Sequence, residues 1–530
     1  MLAVVFGLIS GASSAVALAL IAAALGRGRF SVAALAWGFA GLCVLMPLSR
    51  FLADFLLCRL GHEATFQLRM ALSHRILAAP LPQLEEAGAP RLLAALTGDV
   101  SAITNALLLL PLFCLNAAKV LGCLVYLAWL SGPVFLLAVG FIVVGVLVYQ
   151  VPLLRGARFQ KLVRQETDDL YNHFSALTGG IKELKLHRRR GQVFYNEVLS
   201  RTASSLRRNN ITAMAYFIAV VSLAQVIFFI FAGVLVFVLP LFQTISTEVI
   251  VSSTIVTLYM VTPLDSIMNT LVNLSSASVS VQRIEALGIS LSGEPEEATG
   301  AADAEPAWRS LELVRVTHSY RREREGHAFV LGPLDLTFRP GEIVFVTGGN
   351  GGGKTTLLKL LTGLYVPEAG EIRFDGRPLT KETLTQYRQH FSVIFSDFYL
   401  FESLLGLESH NLDGEARDYL AQLQLDHKVQ VVDGGFSTTA LSQGQRKRLA
   451  LLVAYLEDRP IYVFDEWAAD QDPHFKNIFY LELIPGLKAK GKTVIAITHD
   501  DNYYHLADRI IKVDNGKLTY DERAIYRAVP

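Results

Sequence analysis

Charge is what this chain of 530 residues has least of: 18 % of it is Asp, Glu, Lys or Arg, against about 25 % in average soluble domains. Net charge is missing too, with 48 Lys+Arg set against 48 Asp+Glu. Cysteine is scarce. The four present, Cys43, Cys58, Cys114 and Cys123, show no metal-ligand spacing, and none follows residue 123, which excludes a disulfide framework and a zinc site. What the chain has instead is apolar residues, 52 % of the total. A chain so short of charge is solvated in part by something other than water, and a single soluble enzyme does not fit it.

The zero net charge is a cancellation. Residues 1–290 carry 21 Lys+Arg and 13 Asp+Glu, and residues 291–530 carry 27 and 35. A basic, charge-poor first half joined to an acidic second half reads as a membrane domain followed by a cytosolic one.

A bilayer core needs about 20 mostly apolar residues per helix, and six stretches qualify: Leu2–Leu25, Ser31–Leu57, Thr104–Leu130, Pro133–Leu154, Met214–Pro240 and Val249–Leu271. The first lacks a basic n-region, is too long for a signal peptide and runs at once into a second span, so a retained helix is expected. Twelve basic residues lie between Arg155 and Arg208, whereas the loops near Ser131 and Gln243 hold none. The long basic loops therefore face the cytosol, and with six spans both termini do as well. Within the spans, Asn116 and Lys119 lie in the third, and Asp265 and Asn269 in the sixth. Ionisable groups at that depth need a partner or a water-filled cavity. Two readings stand: a polar substrate path, or an ion pair, either Lys119–Asp265 or one in the cytosolic helix extensions, that holds helices in register. Arg50 and Asp54, one turn apart, can pair with each other.

Residues 287–307, rich in Gly, Pro, Ala and Glu with no apolar period, read as a solvated linker. This divides the chain into a membrane domain at 1–286, the linker, and an α/β nucleotide-binding domain at 308–530. In the last, the run Ile343–Leu361 leads from an apolar strand through Gly348, Gly349, Asn350, Gly351, Gly352 and Gly353 to Lys354, Thr355 and Thr356. That is a P-loop in its proper strand-to-helix context. Its glycines let backbone N–H groups wrap phosphates, Lys354 reaches the β and γ phosphates of ATP, and the Thr355 hydroxyl suits Mg²⁺. A second apolar strand, Ile461–Phe464, ends in Asp465 and Glu466. Asp465 is placed to support Mg²⁺ and Glu466 to polarise a water for attack on the γ-phosphorus.

Leu441-Ser442-Gln443-Gly444-Gln445, lying ahead of Asp465, resembles the LSGGQ signature of ABC transporters. The resemblance implies that Ser442, Gln443, Gly444 and Gln445 bind the nucleotide held by an opposite subunit. It further implies that Tyr320 stacks on adenine, that Asp472 is the D-loop aspartate and that His499 is the switch histidine. Two departures stand out. Where these proteins carry a glutamine that senses Mg²⁺ and water, this chain has Ser396 followed by Asp397, and Gln443 replaces the first signature glycine. The strings VIFSDFYLF (393–401), FDEWAADQDP (464–473) and GIKELKLHRRR (180–190) are similar to those of the bacterial exporters of cyclic peptides and siderophore precursors.

The fold this implies is a six-helix all-α transmembrane domain of the ABC exporter type, fused to an α/β P-loop ABC domain. The function implied is ATP-driven, Mg²⁺-dependent export of a peptide or siderophore precursor across the bacterial inner membrane. A single chain is half a transporter, so a homodimer in the lipid bilayer is expected, with no nucleic-acid partner. A lipid or multidrug exporter of the same fold and a non-transporting ATP-binding membrane protein stay open as alternatives. An importer is disfavoured because spans and ATPase share one chain.

Overall fold

The computed structural model describes residues 5–7, 9–13, 16–17, 20, 32–242, 247–286, 308–321, 328–407 and 411–523. The chain packs as two compact units, one of Met1–Leu77 with Ala89–Gly293, the other of Ala78–Gly88 with Glu294–Pro530.

In the first unit the long helices are α1 (Val32–Ala78), α3 (Ala89–Leu130), α4 (Gly132–Gly179), α5 (Arg188–Phe242) and α6 (Thr247–Ala286); α2 (Leu81–Ala87) lies in the other unit. Each of the five is long and apolar enough to cross a bilayer. Most of the first expected span, Leu2–Leu25, and the whole 287–307 linker lie outside the described residues. The helices run well past the hydropathy edges. At 1.5 Å per residue α4, with 48 residues, is about 70 Å long, more than twice the roughly 30 Å hydrocarbon layer. The remainder is the charged continuation, such as Arg155–Glu166 in α4 and Arg188–Arg208 in α5. Pro47, Pro111, Pro152 and Pro263 sit inside these helices, as neighbouring helices permit in membranes. Leu127, Val134, Phe231, Leu235 and Met260 form a shared apolar core, while Trp37 and Trp129 stand outward. All four cysteines are free thiols.

The second unit is α/β. Its strands are β1 (Leu311–Arg321), β2 (Ala328–Phe338), β3 (Ile343–Thr347), β4 (Ala369–Phe374), β5 (Arg377–Pro378), β6 (Phe391–Ile394), β7 (Val431–Val432), β8 (Gly435–Phe436), β9 (Ile461–Asp465), β10 (Thr493–Ile497), β11 (Arg509–Asp514) and β12 (Lys517–Arg523). The main sheet has the order β12-β11-β3-β10-β9-β6, parallel except for the β12 edge. A smaller antiparallel sheet has the order β2-β1-β4-β5. β3, β9 and β10 are buried at every residue, because parallel strands covered on both faces need an unbroken apolar run. Alternation sends Phe345 into one core with Phe464, Trp467 and Tyr480, and Val344 and Val346 into the other with Leu357 and Leu361. The helices that matter for the site are α7 (Lys354–Leu361), α8 (Lys381–Arg388), α9 (Leu412–Gln422), α10 (Gln443–Glu457) and α11 (473–489).

This order has one chemical consequence. β3, β10, β9 and β6 are neighbours, with Ile497 in register with both Val346 and Asp465. The chain segments that leave their carboxyl ends share one edge, where open α/β sheets bind ligands.

Candidate nucleotide site

β3 ends at Thr347 and the chain turns through the glycines into α7. Gly348, Gly351 and Gly353 have φ of 141°, 75° and 102°, conformations that cost an L-residue with a side chain. Space is as tight as the torsions: a Cβ on Gly348 would lie 2.0 Å from the Val513 carbonyl oxygen, and one on Gly352 2.7 Å from the same atom. The loop is braced from β11. Asp514 Oδ1 accepts the Gly349 N–H at 2.6 Å, and that bond, with nearby Lys512 and Lys354, holds the Asp514 carboxyl below its usual range. Gly516 N–H donates to Gly352 O at 3.0 Å.

Lys354 is buried and its Nζ donates to the Gly348 and Gly349 carbonyls, both at 3.0 Å. The ammonium thus lies across the loop that it would share with phosphate oxygens. Leu357 N–H to Gly353 O is the first bond of the α7 ladder, so the N–H groups of Lys354, Thr355 and Thr356 have no acceptor within the helix and form an anion site. Thr355 Oγ1 and Ser396 Oγ both donate to Asp465 Oδ2 at 3.1 Å. Burial pushes the Asp465 carboxyl above its usual range, and these hydroxyl bonds oppose the push. Three converging oxygens with no sulfur or imidazole suit a hard cation such as Mg²⁺. Asp397, the alternative to Ser396, is exposed beside it.

Glu466 follows in a left-handed conformation, φ 50° and ψ 37°, with its N–H bonded to Ile497 O at 3.2 Å. Its Oε1 lies 3.2 Å from His499 Nε2, and both side chains are partly exposed. The carboxylate and imidazole therefore meet at the sheet edge with water access, as a water-activating pair requires. Tyr320 lies in β1 opposite Phe329 of β2.

Ser442, Gln443, Gly444 and Gln445 are held by another set of partners. Ser442 caps α10 and exchanges hydrogen bonds with Gln445, a capping box. Gly444 O accepts from Gln471 Nε2 at 3.0 Å, and a Cβ on Gly444 would lie 2.8 Å from Asp470 O. Asp472 caps α11 through the Phe475 N–H at 2.9 Å and pairs with Arg448 at 2.6 Å. Those bonds keep its carboxyl below the usual range. The signature turn is thus packed on residues 466–472 of its own chain.

Sequence reasoning passed over several contributors. Lys447 is one of them, and the signal that it is buried is its spacing from Ala450, Leu451 and Ala454 on the inner face of α10. Asp514 had only an Asp-Asn-Gly turn to mark it. Glu85 of α2 had no signal, yet it accepts from Lys359 of α7 at 2.6 Å and from the Tyr365 hydroxyl.

In the membrane unit, Asn116 Nδ2 donates to Ser266 Oγ at 2.7 Å, which ties α3 to α6. The Lys119–Asp265 pair considered above is not formed among the described residues. Asp265 precedes Ser266, and successive helical residues point about 100° apart, so it is turned off the face that meets α3. Arg50 and Asp54 do pair, at 3.6 Å. Asn269 lies one turn beyond Asp265 on α6. Between α4, α5 and α6 is an apolar cavity of about 140 Å³ lined by Phe141, Phe228, Phe231, Met260 and Met268.

Comparison with known proteins gives a consistent result. Residues 1–264 match the family described as ABC transporter transmembrane region, and residues 331–469 match ABC transporter. The chain is 38 % identical to the ATP-binding protein SyrD of Pseudomonas syringae pv. syringae, over 97 % of this chain and 93 % of that one. It is 28 % identical to the ATP-dependent lipid A-core flippase of Alkalilimnicola ehrlichii, over 90 % and 82 %. A solved bacterial Atm1-family ABC exporter with ATP bound superposes with a TM-score of 0.79 at 17 % identity, covering 99 % of this chain and 94 % of that one.

Proposed function

The chain belongs to the ABC transporter family, as an exporter-type half-transporter with a fused ATPase domain, and from that premise we propose that it exports a peptide product. The cargo is a cyclic peptide or peptide siderophore precursor, moved from the cytosol across the bacterial inner membrane. The working unit is a homodimer whose membrane domains (1–286) sit in the bilayer and whose ATPase domains (308–530), with both termini, face the cytosol. The peptide assignment is carried by the strings at 180–190, 393–401 and 464–473, which lie in both halves of the chain.

Each ATP binds between one subunit's P-loop and the other's signature turn. On the first side, the α7 N-terminus and Lys354 take the phosphates, with Lys354 exchanging the Gly348 and Gly349 carbonyls for phosphate oxygens, and Tyr320 meets the adenine. On the second side, Ser442, Gln443, Gly444 and Gln445 contribute the positive end of α10 to the γ-phosphate, and Asp472 fixes the adjoining turn. Thr355 and Ser396, with Asp465 behind them, would hold Mg²⁺, which would supply charge neutralisation for the phosphates when bound. Glu466 takes the proton of the attacking water as its oxygen bonds to the γ-phosphorus and the bond to the β,γ-bridging oxygen breaks, leaving ADP and phosphate. His499 orients Glu466. Higher affinity of ATP for the closed dimer than for the open one does the mechanical work. Asn116, Lys119, Asp265 and Asn269 are the polar residues we assign to the cargo path.

A lipid cargo is the second reading, favoured by the apolar cavity between α4, α5 and α6 and by the relatives named as flippases. The test is ATP turnover by the purified protein in vesicles of defined lipid, with cyclic peptide or lipid A added. Stimulation by peptide alone supports peptide export. Stimulation by lipid A alone overturns it.

A further inference from the structure

The least accessible cation of the second unit's signature region is Lys447, 2 % exposed. Its Nζ donates to the Glu466 backbone carbonyl at 2.9 Å and pairs with Asp470 Oδ2 at 2.8 Å. The Lys447 carbonyl in turn accepts from Trp467 Nε1 at 2.9 Å. One residue of α10 therefore grips the 466–470 turn at three points. Lys447 stands two residues after Gln445, the last residue of the signature motif.

The turn it grips is the one that needs holding. Glu466 is left-handed although it carries a full side chain, a state that costs about 1–2 kcal/mol and persists only when its surroundings fix it. Its N–H is fixed by β10 through Ile497 O, and its carbonyl by the Lys447 ammonium at 2.9 Å together with the Ala469 N–H at 3.2 Å. The pair with Asp470, whose side chain is half exposed, contributes little net stability compared with a well-packed apolar side chain. A methionine here would fill the volume but would remove the shorter of the two bonds to the Glu466 carbonyl, leaving it only the Ala469 N–H at 3.2 Å.

We propose that Lys447 is a positioning residue that transmits the placement of the signature turn to Glu466 of the same chain, so that nucleotide engaged by the signature of one site sets the base of the other. This rests on the reading that Glu466 is the base and that the protein works as a dimer. In that dimer the α10 turn touches one nucleotide and Glu466 serves the other, so the Lys447 bridge joins the two sites through about one helical turn of protein. ATP turnover is then cooperative in ATP, and the cooperativity runs through this ammonium.

The experiment uses the full chain in lipid vesicles: wild type, Lys447→Met, Lys447→Gln, Lys447→Arg, Asp470→Asn and Glu466→Gln. Each is assayed for turnover against ATP concentration, for ATP affinity and for melting temperature. The expected result is a wild-type Hill coefficient above one. Lys447→Met and Lys447→Gln should lower kcat at least tenfold with ATP affinity little changed, and bring the residual turnover to a Hill coefficient of one. Lys447→Arg, which keeps a donor, should recover most of the rate, and Asp470→Asn, which spares the bond to Glu466, should stay near wild type. Non-cooperative wild-type turnover overturns the proposal, as does Lys447→Met with normal rate and cooperativity. Loss in Met and Arg alike, in step with melting temperature, also overturns it by making Lys447 merely structural. Undiminished turnover in Glu466→Gln refutes the base assignment itself, a separate failure.

Discussion

Replacing Ser396 by Ala removes one of the two hydroxyls that meet at Asp465 Oδ2, each at 3.1 Å. Asp465 is 1 % exposed, so bulk water is poorly placed to replace the lost donor. A hydrogen bond to a charged group is worth about 1.5–3 kcal/mol, and each 1.4 kcal/mol or so is a decade in rate. If that bond is needed to hold Mg²⁺ and the carboxylate through phosphoryl transfer, kcat falls roughly 10- to 150-fold. The assay is phosphate release by the reconstituted protein across a range of Mg²⁺, with ATP affinity measured alongside. ATP affinity should stay near wild type, the Mg²⁺ requirement should rise, and Ser396→Thr should retain most of the rate. Asp397→Asn should leave the rate alone, because no bond joins its carboxylate to Asp465 among the described residues. Ser396→Ala turning over within a factor of two of wild type at every Mg²⁺ concentration would refute the role.

Other perturbations follow from the same geometry. Asp465→Asn should abolish hydrolysis yet raise the melting temperature of the nucleotide-free protein at pH 7. The unfolded carboxyl loses its proton near pH 4 and the folded one at higher pH, so ionisation costs stability as pH rises through that window. The advantage of Asn should disappear as pH falls to about 4; an advantage independent of pH contradicts this. Gly348→Ala should cost most of the ATP affinity because its Cβ would collide with Val513 O, whereas Gly341→Ala, left-handed but in open space, should cost only about 1 kcal/mol or so of stability. Equal ATP affinities in the two variants contradict the steric account. Glu85→Ala strips a partner from both Lys359 and Tyr365; basal turnover should change little while stimulation by cargo is lost, and stimulation at the wild-type level counts against it.

The residues of the candidate ATPase site could be named in advance because each of its pieces is local in sequence. A phosphate loop needs consecutive glycines, a lysine and a threonine, and a sheet edge needs an apolar strand that ends in Asp465 and Glu466. What joins these pieces was not legible. Lys447 takes its meaning from a carbonyl 19 residues away, Asp514 from an N–H 165 residues away, and Glu85 from a lysine 274 residues away. In the membrane domain, hydropathy marks apolar stretches but not where the helices that carry them stop. The charged continuations of α4 and α5 are helical by packing on each other, for example through Asn209 Nδ2 donating to Glu166 at 2.8 Å. The Lys119–Asp265 pairing failed for a related reason: depth in the bilayer can be read from sequence, but rotation about a helix axis is set by neighbours such as Ser266.

The central claim is that ATP hydrolysis at Glu466 drives a peptide outward through this chain. It is tested most directly by inside-out vesicles that hold the purified protein, loaded outside with labelled cyclic peptide and ATP. Peptide should accumulate inside with wild type and not with Glu466→Gln, which should still bind ATP and close its dimer. Accumulation that proceeds equally in Glu466→Gln, or wild-type vesicles that move labelled lipid A and no peptide, would contradict the account.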